Sequence, residues 1–234
     1  MGLPFVVLNM VTVLMFKGLE VDDKLITFWT SLILLPWTLK PLWSPFLELF
    51  RTKKFFVIVT QLITGITFGL VAFALNLSHF FSISIALLAI VAFSGATHDI
   101  ACDGVYMSEL SNEDQARFIG WQGAFYNIAK ILATGGLVYL AGYFIELNAD
   151  AGLLTANKRA WMIILLILSV TMILLGIYHL FALPSTQSAS SRKTLRSNKE
   201  VMKELGQVLM DFSARHTLLI ISASSSFTVL QKDL

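Results

Sequence analysis

Charge is what this chain lacks most. Asp, Glu, Lys and Arg make up 14% of its 234 residues, little more than half the roughly 25% of an average soluble domain. That is too little to coat a soluble core of this size. A soluble enzyme, a nucleic-acid binder and a disordered chain are therefore excluded. Cysteine is nearly absent as well: Cys102 stands alone, so no internal disulfide can form. Histidine and carboxylate clusters are also scarce within the apolar stretches. His98, Asp99, Cys102 and Asp103 crowd one segment, but no second such cluster appears in another span, so the ligand count is against a metal centre. No Ser-His-Asp pattern with a glycine-rich elbow is present. The sequence implies no enzymatic activity, no metal and no cofactor.

What fills the space is apolar sequence, 56% of the chain. No charge occurs across the 44 residues from Phe55 to His98, nor across the 32 from Ala160 to Ser191. From Phe118 to Ile145 the only charge is Lys130, and from Leu25 to Leu47 it is Lys40. A membrane-spanning helix needs about 20 apolar residues, so the partner of these stretches is a lipid bilayer. The expected fold is all-α and integral to the membrane, with six spans at residues 2–16, 25–47, 55–75, 80–107, 118–145 and 160–183. The 44-residue run must be two helices, since one would be roughly 66 Å long. Its turn is the polar cluster Asn76-Leu77-Ser78-His79.

The first span is short and lacks the basic lead and cleavage site of a signal peptide, so it reads as a helix whose first turns are missing. After a polar stretch, another apolar segment opens at His216 and reads as a seventh span cut short. The expected organisation is a six-helix bundle over 1–183, a basic cytoplasmic linker over 184–215, and the start of a truncated helix over 216–234. Lys and Arg set the orientation. With the N-terminus inside, ten fall on the cytoplasmic side and four on the outer side. The Ser-rich basic linker reads as a solvated connection obeying the same rule.

Ionisable residues inside spans are costly, roughly 2.5–3.5 kcal/mol each on insertion scales, and usually face a bundle interior or a wet cavity. Lys40, Asp99, Asp103 and Lys130 are therefore the candidate site residues. Lys40 and Asp99 lie at nearly the same level, with Lys130 near the middle of its span. Either lysine could pair with Asp99. Asp99 and Asp103 are spaced i,i+4 and share one helix face. Such a pair can take up and release a proton, while Asp103 could instead pair with Arg51, Lys53 or Lys54. Gln122, Tyr126 and Lys130, with Asn127 beside them, form a polar stripe suited to a solute or to a neighbouring helix. Gly120, Gly123, Gly135, Gly136 and Gly142 read as close helix contacts.

Two motifs sharpen this. Ser94-Gly95-Ala96-Thr97-His98-Asp99-Ile100-Ala101-Cys102-Asp103 resembles the fourth-helix pattern Ser-Ala-x-Gln-Asp-Ile-x-x-Asp of the AmpG-type muropeptide permeases, a branch of the major facilitator superfamily. Leu35-Pro36-Trp37-Thr38-Leu39-Lys40-Pro41-Leu42-Trp43-Ser44-Pro45 resembles their second helix, and Gly2-Leu3-Pro4 the end of their first. His98 stands where the pattern has Gln, and Glu48 where it has Asp. The resemblance implies the N-terminal six-helix half of a major facilitator fold. It implies proton-driven import of cell-wall muropeptides across the bacterial inner membrane, with protons and a small solute as ligands and a C-terminal six-helix half as partner. It carries the acidic positions onto Asp99 and Asp103, and the lysine onto Lys40. A facilitator for another amphiphilic solute such as acetyl-CoA, or a six-helix sensor or scaffold, are the alternatives.

The charge bias makes a topological prediction. Cysteines introduced at Ser78 and Ser190 should react with an impermeant thiol reagent from opposite sides of the membrane. Labelling of both from one side would overturn the arrangement.

Overall fold

The computed structural model describes residues 2–50 and 52–184. Arg51, all but the first residue of the expected linker, and the expected seventh span lie outside the described residues. Every regular element among the described residues is helical. We number them α1 (Leu3–Gly18), α2 (Asp23–Ile33), α3 (Leu35–Thr38), α4 (Lys40–Phe50), α5 (Lys53–Ala74), α6 (Phe80–Glu109), α7 (Asn112–Leu147) and α8 (Leu153–Ala182). Four of these, α5 to α8, are long and apolar enough to cross a membrane. The chain is thus a helical membrane protein.

The centre of the fold is α5, packed between α6 and α8. Its buried residues Val57, Gln61, Thr64, Phe68 and Val71 recur at three- and four-residue steps, so one stripe faces inward. Two close approaches set the spacing to α8. A Cβ on Gly65 would lie 3.0 Å from the Ser169 carbonyl oxygen, and Leu62 Cδ2 stands 3.0 Å from the Cβ position of Gly176. Helix α1 is shorter but more deeply packed, with Val6, Val7, Leu8, Val11, Met15 and Phe16 all buried. Phe16 meets Phe81 of α6 edge-on at 5.0 Å.

The ends follow local chemistry. Asp22 caps α2 by accepting from the Lys24 and Leu25 amides, Thr52 caps α5 through the Phe55 amide, and Ser111 caps α7 through the Asp114 amide. The turn expected at 76–79 is there, between α5 and α6. Before α8 the chain passes through Gly152 at φ 84°, a left-handed conformation that glycine adopts without steric cost.

The sequence reading needs correction in two places. Residues 25–47 do not form one continuous helix. Pro36 and Pro41 remove the amides that would bond to Leu32 and Trp37. The chain breaks into α2, α3 and α4, bridged by short bonds from Trp37 N–H to Leu34 O and Leu42 N–H to Leu39 O. The α7 glycines are the second correction. A Cβ at Gly120, Gly123, Gly135, Gly136 or Gly142 would meet nothing within 4 Å, so none of them serves close packing among the described residues. Helix α7 is 11% buried over its most apolar window, against 44% to 56% for α5, α6 and α8.

These contrasts predict opposite outcomes for the same substitution. Gly65→Ala drives a methyl into the α8 backbone and should lower the stability of the purified chain by about 1–3 kcal/mol. Gly142→Ala, in open space within a regular helix, should be neutral or stabilise by up to about 1 kcal/mol. Thermal unfolding in detergent measures both, and equal losses would contradict the packing described here.

Candidate functional site

The helix break carries the site. Trp37 lies in α3 and Lys40 opens α4, so both occupy the interrupted stretch between the prolines. Lys40 Nζ lies 3.0 Å from Asp99 Oδ2, and Trp37 Nε1 donates to the same oxygen at 2.9 Å. The side chains of Lys40 and Asp99 are 26% and 17% exposed. Two charge-assisted bonds thus converge on one carboxylate oxygen in a largely shielded place. Gly95, one turn before Asp99, makes room for them: its Cβ position lies 3.0 Å from Trp37 Cζ2. Phe5 of α1 holds the other side of the indole, with ring centroids 5.2 Å apart at 67°.

The remaining expected residues are placed differently. Asp103 is exposed and forms no ion pair among the described residues. Lys54 Nζ bonds to the Leu183 carbonyl rather than to Asp103. The stem of Lys53 lies over Gly104. Lys130 does not reach Asp99, which is taken by Lys40; it is exposed and in no ion pair among the described residues. Asn127 is also exposed and turns back to the Gly123 carbonyl of its own helix at 3.0 Å. Lys130 and Asn127 are therefore not gathered into the Asp99 site.

Gln122 and Tyr126 point elsewhere, into a cavity of about 550 Å³ between α1, α5, α6, α7 and α8. Its lining includes His98, Cys102, Gln61 and His179, with Phe118, Trp121 and Phe125 as an aromatic wall. Sequence reasoning missed Trp37, Gln61 and His179. The signal for Trp37 was its three-residue spacing from Lys40 between two prolines. Gln61 and His179 sit in uncharged runs where hydropathy hides them.

The cavity wall is held by a buried polar network. The Thr60 hydroxyl donates to the Phe56 carbonyl at 2.6 Å, so its oxygen is left to accept from His98 Nδ1 at 3.2 Å. His98 Nδ1 also lies 3.2 Å from the Val57 carbonyl. That places the proton on Nδ1 and leaves Nε2 to accept from the Cys102 thiol at 3.4 Å. The Ser94 hydroxyl donates to the Thr60 carbonyl at 2.6 Å and accepts from Thr64 at 3.1 Å. On α8, His179 Nδ1 lies 2.7 Å from Gln61 Oε1 and donates to it. Neutral hydrogen-bonding groups therefore line the cavity, while the ion pair stands on the neighbouring face of α6.

No group of three or more His, Cys, Asp and Glu among the described residues is placed to hold a metal ion. No family model matches the chain, and comparison with curated proteins and with solved structures gives no match.

The geometry predicts a strong coupling between the two charged partners. Lys40→Met leaves Asp99 short of its cation and Asp99→Asn leaves Lys40 without its anion, so each alone should destabilise the chain. The double variant should recover about 1–2 kcal/mol relative to the sum of the singles, read as a double-mutant cycle on thermal stability in detergent. Strict additivity would show that the 3.0 Å contact contributes nothing.

Proposed function

We propose that this chain supplies the N-terminal six-helix half of a proton-coupled secondary transporter of the major facilitator type. In this reading it resembles an AmpG-type permease and imports muropeptide-like solutes across a bacterial inner membrane. The observation that carries it is the Asp99 carboxylate, paired with Lys40 at a proline-broken helix inside an otherwise apolar bundle. Transporter sites are built from such interrupted helices, where side chains and freed backbone groups meet ions and solutes. A carboxylate and a lysine in contact have two states: ionised and paired, or protonated with the lysine released. When the two states favour different conformations, proton entry drives a change of access.

The broken segment 23–50 makes the second crossing of this reading, and the deeply packed α1 the first, which brings the spans to six. The neutral, aromatic-walled cavity is the solute's half-site, with Gln122 and Tyr126 as its polar contacts. Asn127 and Lys130 border the space that the second six-helix half completes. Asp103, one turn beyond Asp99 and exposed, is the onward proton acceptor.

Uptake by the intact transporter tests this directly. Asp99→Asn preserves shape and removes the charge, so it should abolish gradient-driven accumulation while leaving solute binding. Lys40→Gln should shift the pH dependence of uptake more than Lys130→Gln, because Lys40 is the residue in contact with Asp99. Wild-type accumulation and pH dependence in Asp99→Asn would overturn the reading. Saturable uptake by the purified 234-residue chain alone would overturn the half-transporter part of it.

A further inference from the structure

We propose that Trp37 is the positioning residue of the Asp99–Lys40 pair, holding the carboxylate by one oxygen so that the other, Oδ1, is the atom that receives the proton. The inference rests on the proton-coupling reading above and deepens it to a particular residue and a particular atom.

Both donors reach Oδ2, Trp37 Nε1 at 2.9 Å and Lys40 Nζ at 3.0 Å. Oδ1 has no hydrogen-bond partner among the described residues, and the side chain retains 17% exposure. The oxygen that is held is thus distinct from the oxygen that is open. A proton from water can bond to Oδ1 without displacing either donor. The carboxylate becomes a neutral acid, Lys40 keeps its own three protons, and the attraction between them falls to that of an ion for a dipole. Lys40 can then leave, whereas the indole N–H, uncharged throughout, keeps the carboxyl group aimed.

The placement of Trp37 suits a rigid guide rather than a mobile ligand. Phe5 packs against one side of the indole, and its six-membered ring stands over the open surface of Gly95. An alanine at 95 would crowd Trp37 Cζ2 at 3.0 Å and push the ring off its track. An ion pair alone would leave a flexible lysine stem to decide where the carboxylate points. The other charged or titratable groups near Asp99 are few: Lys40 from α4, with His98, Cys102 and Asp103 on α6 itself. His98 turns to Val57, Thr60 and Cys102, and Asp103 lies one turn on. From α1 the site receives the apolar side chains of Phe5 and Pro4.

Dicyclohexylcarbodiimide, a membrane-soluble reagent that adds to protonated carboxyl groups, reads this without any transport assay. The purified 234-residue chain is treated in detergent at one fixed pH, and modification of Asp99 and Asp103 is quantified separately by peptide mass spectrometry. Trp37→Phe keeps the ring and deletes the donor. It should raise Asp99 labelling about tenfold, the worth of one hydrogen bond to a charged acceptor, with Asp103 unchanged. Gly95→Ala, which leaves Trp37 in the chain but displaces it, should act in the same direction. Helix content by circular dichroism accompanies each variant. Unchanged Asp99 labelling in both folded variants overturns the proposal, and so does an equal rise at Asp103, which would report a general opening. Because the readout is chemical, a failure of Asp99→Asn to alter uptake would sink the transport reading and leave this result standing.

Discussion

One carboxylate in an apolar bundle governs the architecture around it. Asp99 lies on α6 inside a largely apolar bundle, where an unpaired charge costs several kcal/mol. An intact helix at residues 23–50 would satisfy its own backbone but would not deliver the groups as they are found. The break instead leaves Trp37 and Lys40 within 3.0 Å of the same oxygen. Interrupting a helix forfeits backbone bonds, and Pro36 and Pro41 forfeit them in any case, since neither has an amide to give. The short i→i+3 bonds across the break recover part of that loss. The broken helix thus delivers to the buried charge the two donors that hold it.

Helix periodicity keeps two kinds of chemistry apart on α6. His98 and Cys102 share one face, and Asp99 and Asp103 share the next, about 100° around the axis. The first face closes a cavity lined by neutral donors and acceptors. The second carries the negative charge, toward the broken segment. Imidazole, amide and phenol groups therefore line the cavity, while the ion pair stands on the adjoining face of the same helix. The buried network of Thr60, Ser94 and His98 fixes the α5–α6 contact, so a rotation of α6 would disturb both faces together.

The sequence was legible where the physics is one-dimensional. Long uncharged runs marked α5, α6 and α8, a run with one lysine marked α7, and the polar cluster 76–79 marked the turn, because burial in lipid is written in composition. The break was not legible from hydropathy, because Pro36 and Pro41 leave the apolar average almost unchanged while removing two backbone donors. Depth misled in the case of Lys130. It lies near the level of Asp99, yet depth says nothing of azimuth, and the contact went to Lys40. Glycines misled for a related reason. Those on α7 form a stripe that resembles packing but stand in open space, whereas Gly65, Gly95 and Gly104 scarcely stood out and lie against neighbours. A small residue permits close approach, and only the neighbouring element decides whether it happens.

Helix α7 then poses the remaining physical question. It is long and apolar enough to cross a membrane, yet it is mostly exposed and carries Asn127 and Lys130 on that exposed surface. Lipid tails offer neither a hydrogen bond nor a counter-charge, so in a bilayer this flank cannot rest against them without a penalty of roughly 2.5–3.5 kcal/mol for the lysine alone. Ala133 and Ala141 are buried against the bundle, so turning the helix to bury Lys130 would displace that seam. A second copy laid symmetrically on the same flank would set Lys130 against Lys130. What remains is a water-filled space or a protein surface of complementary charge.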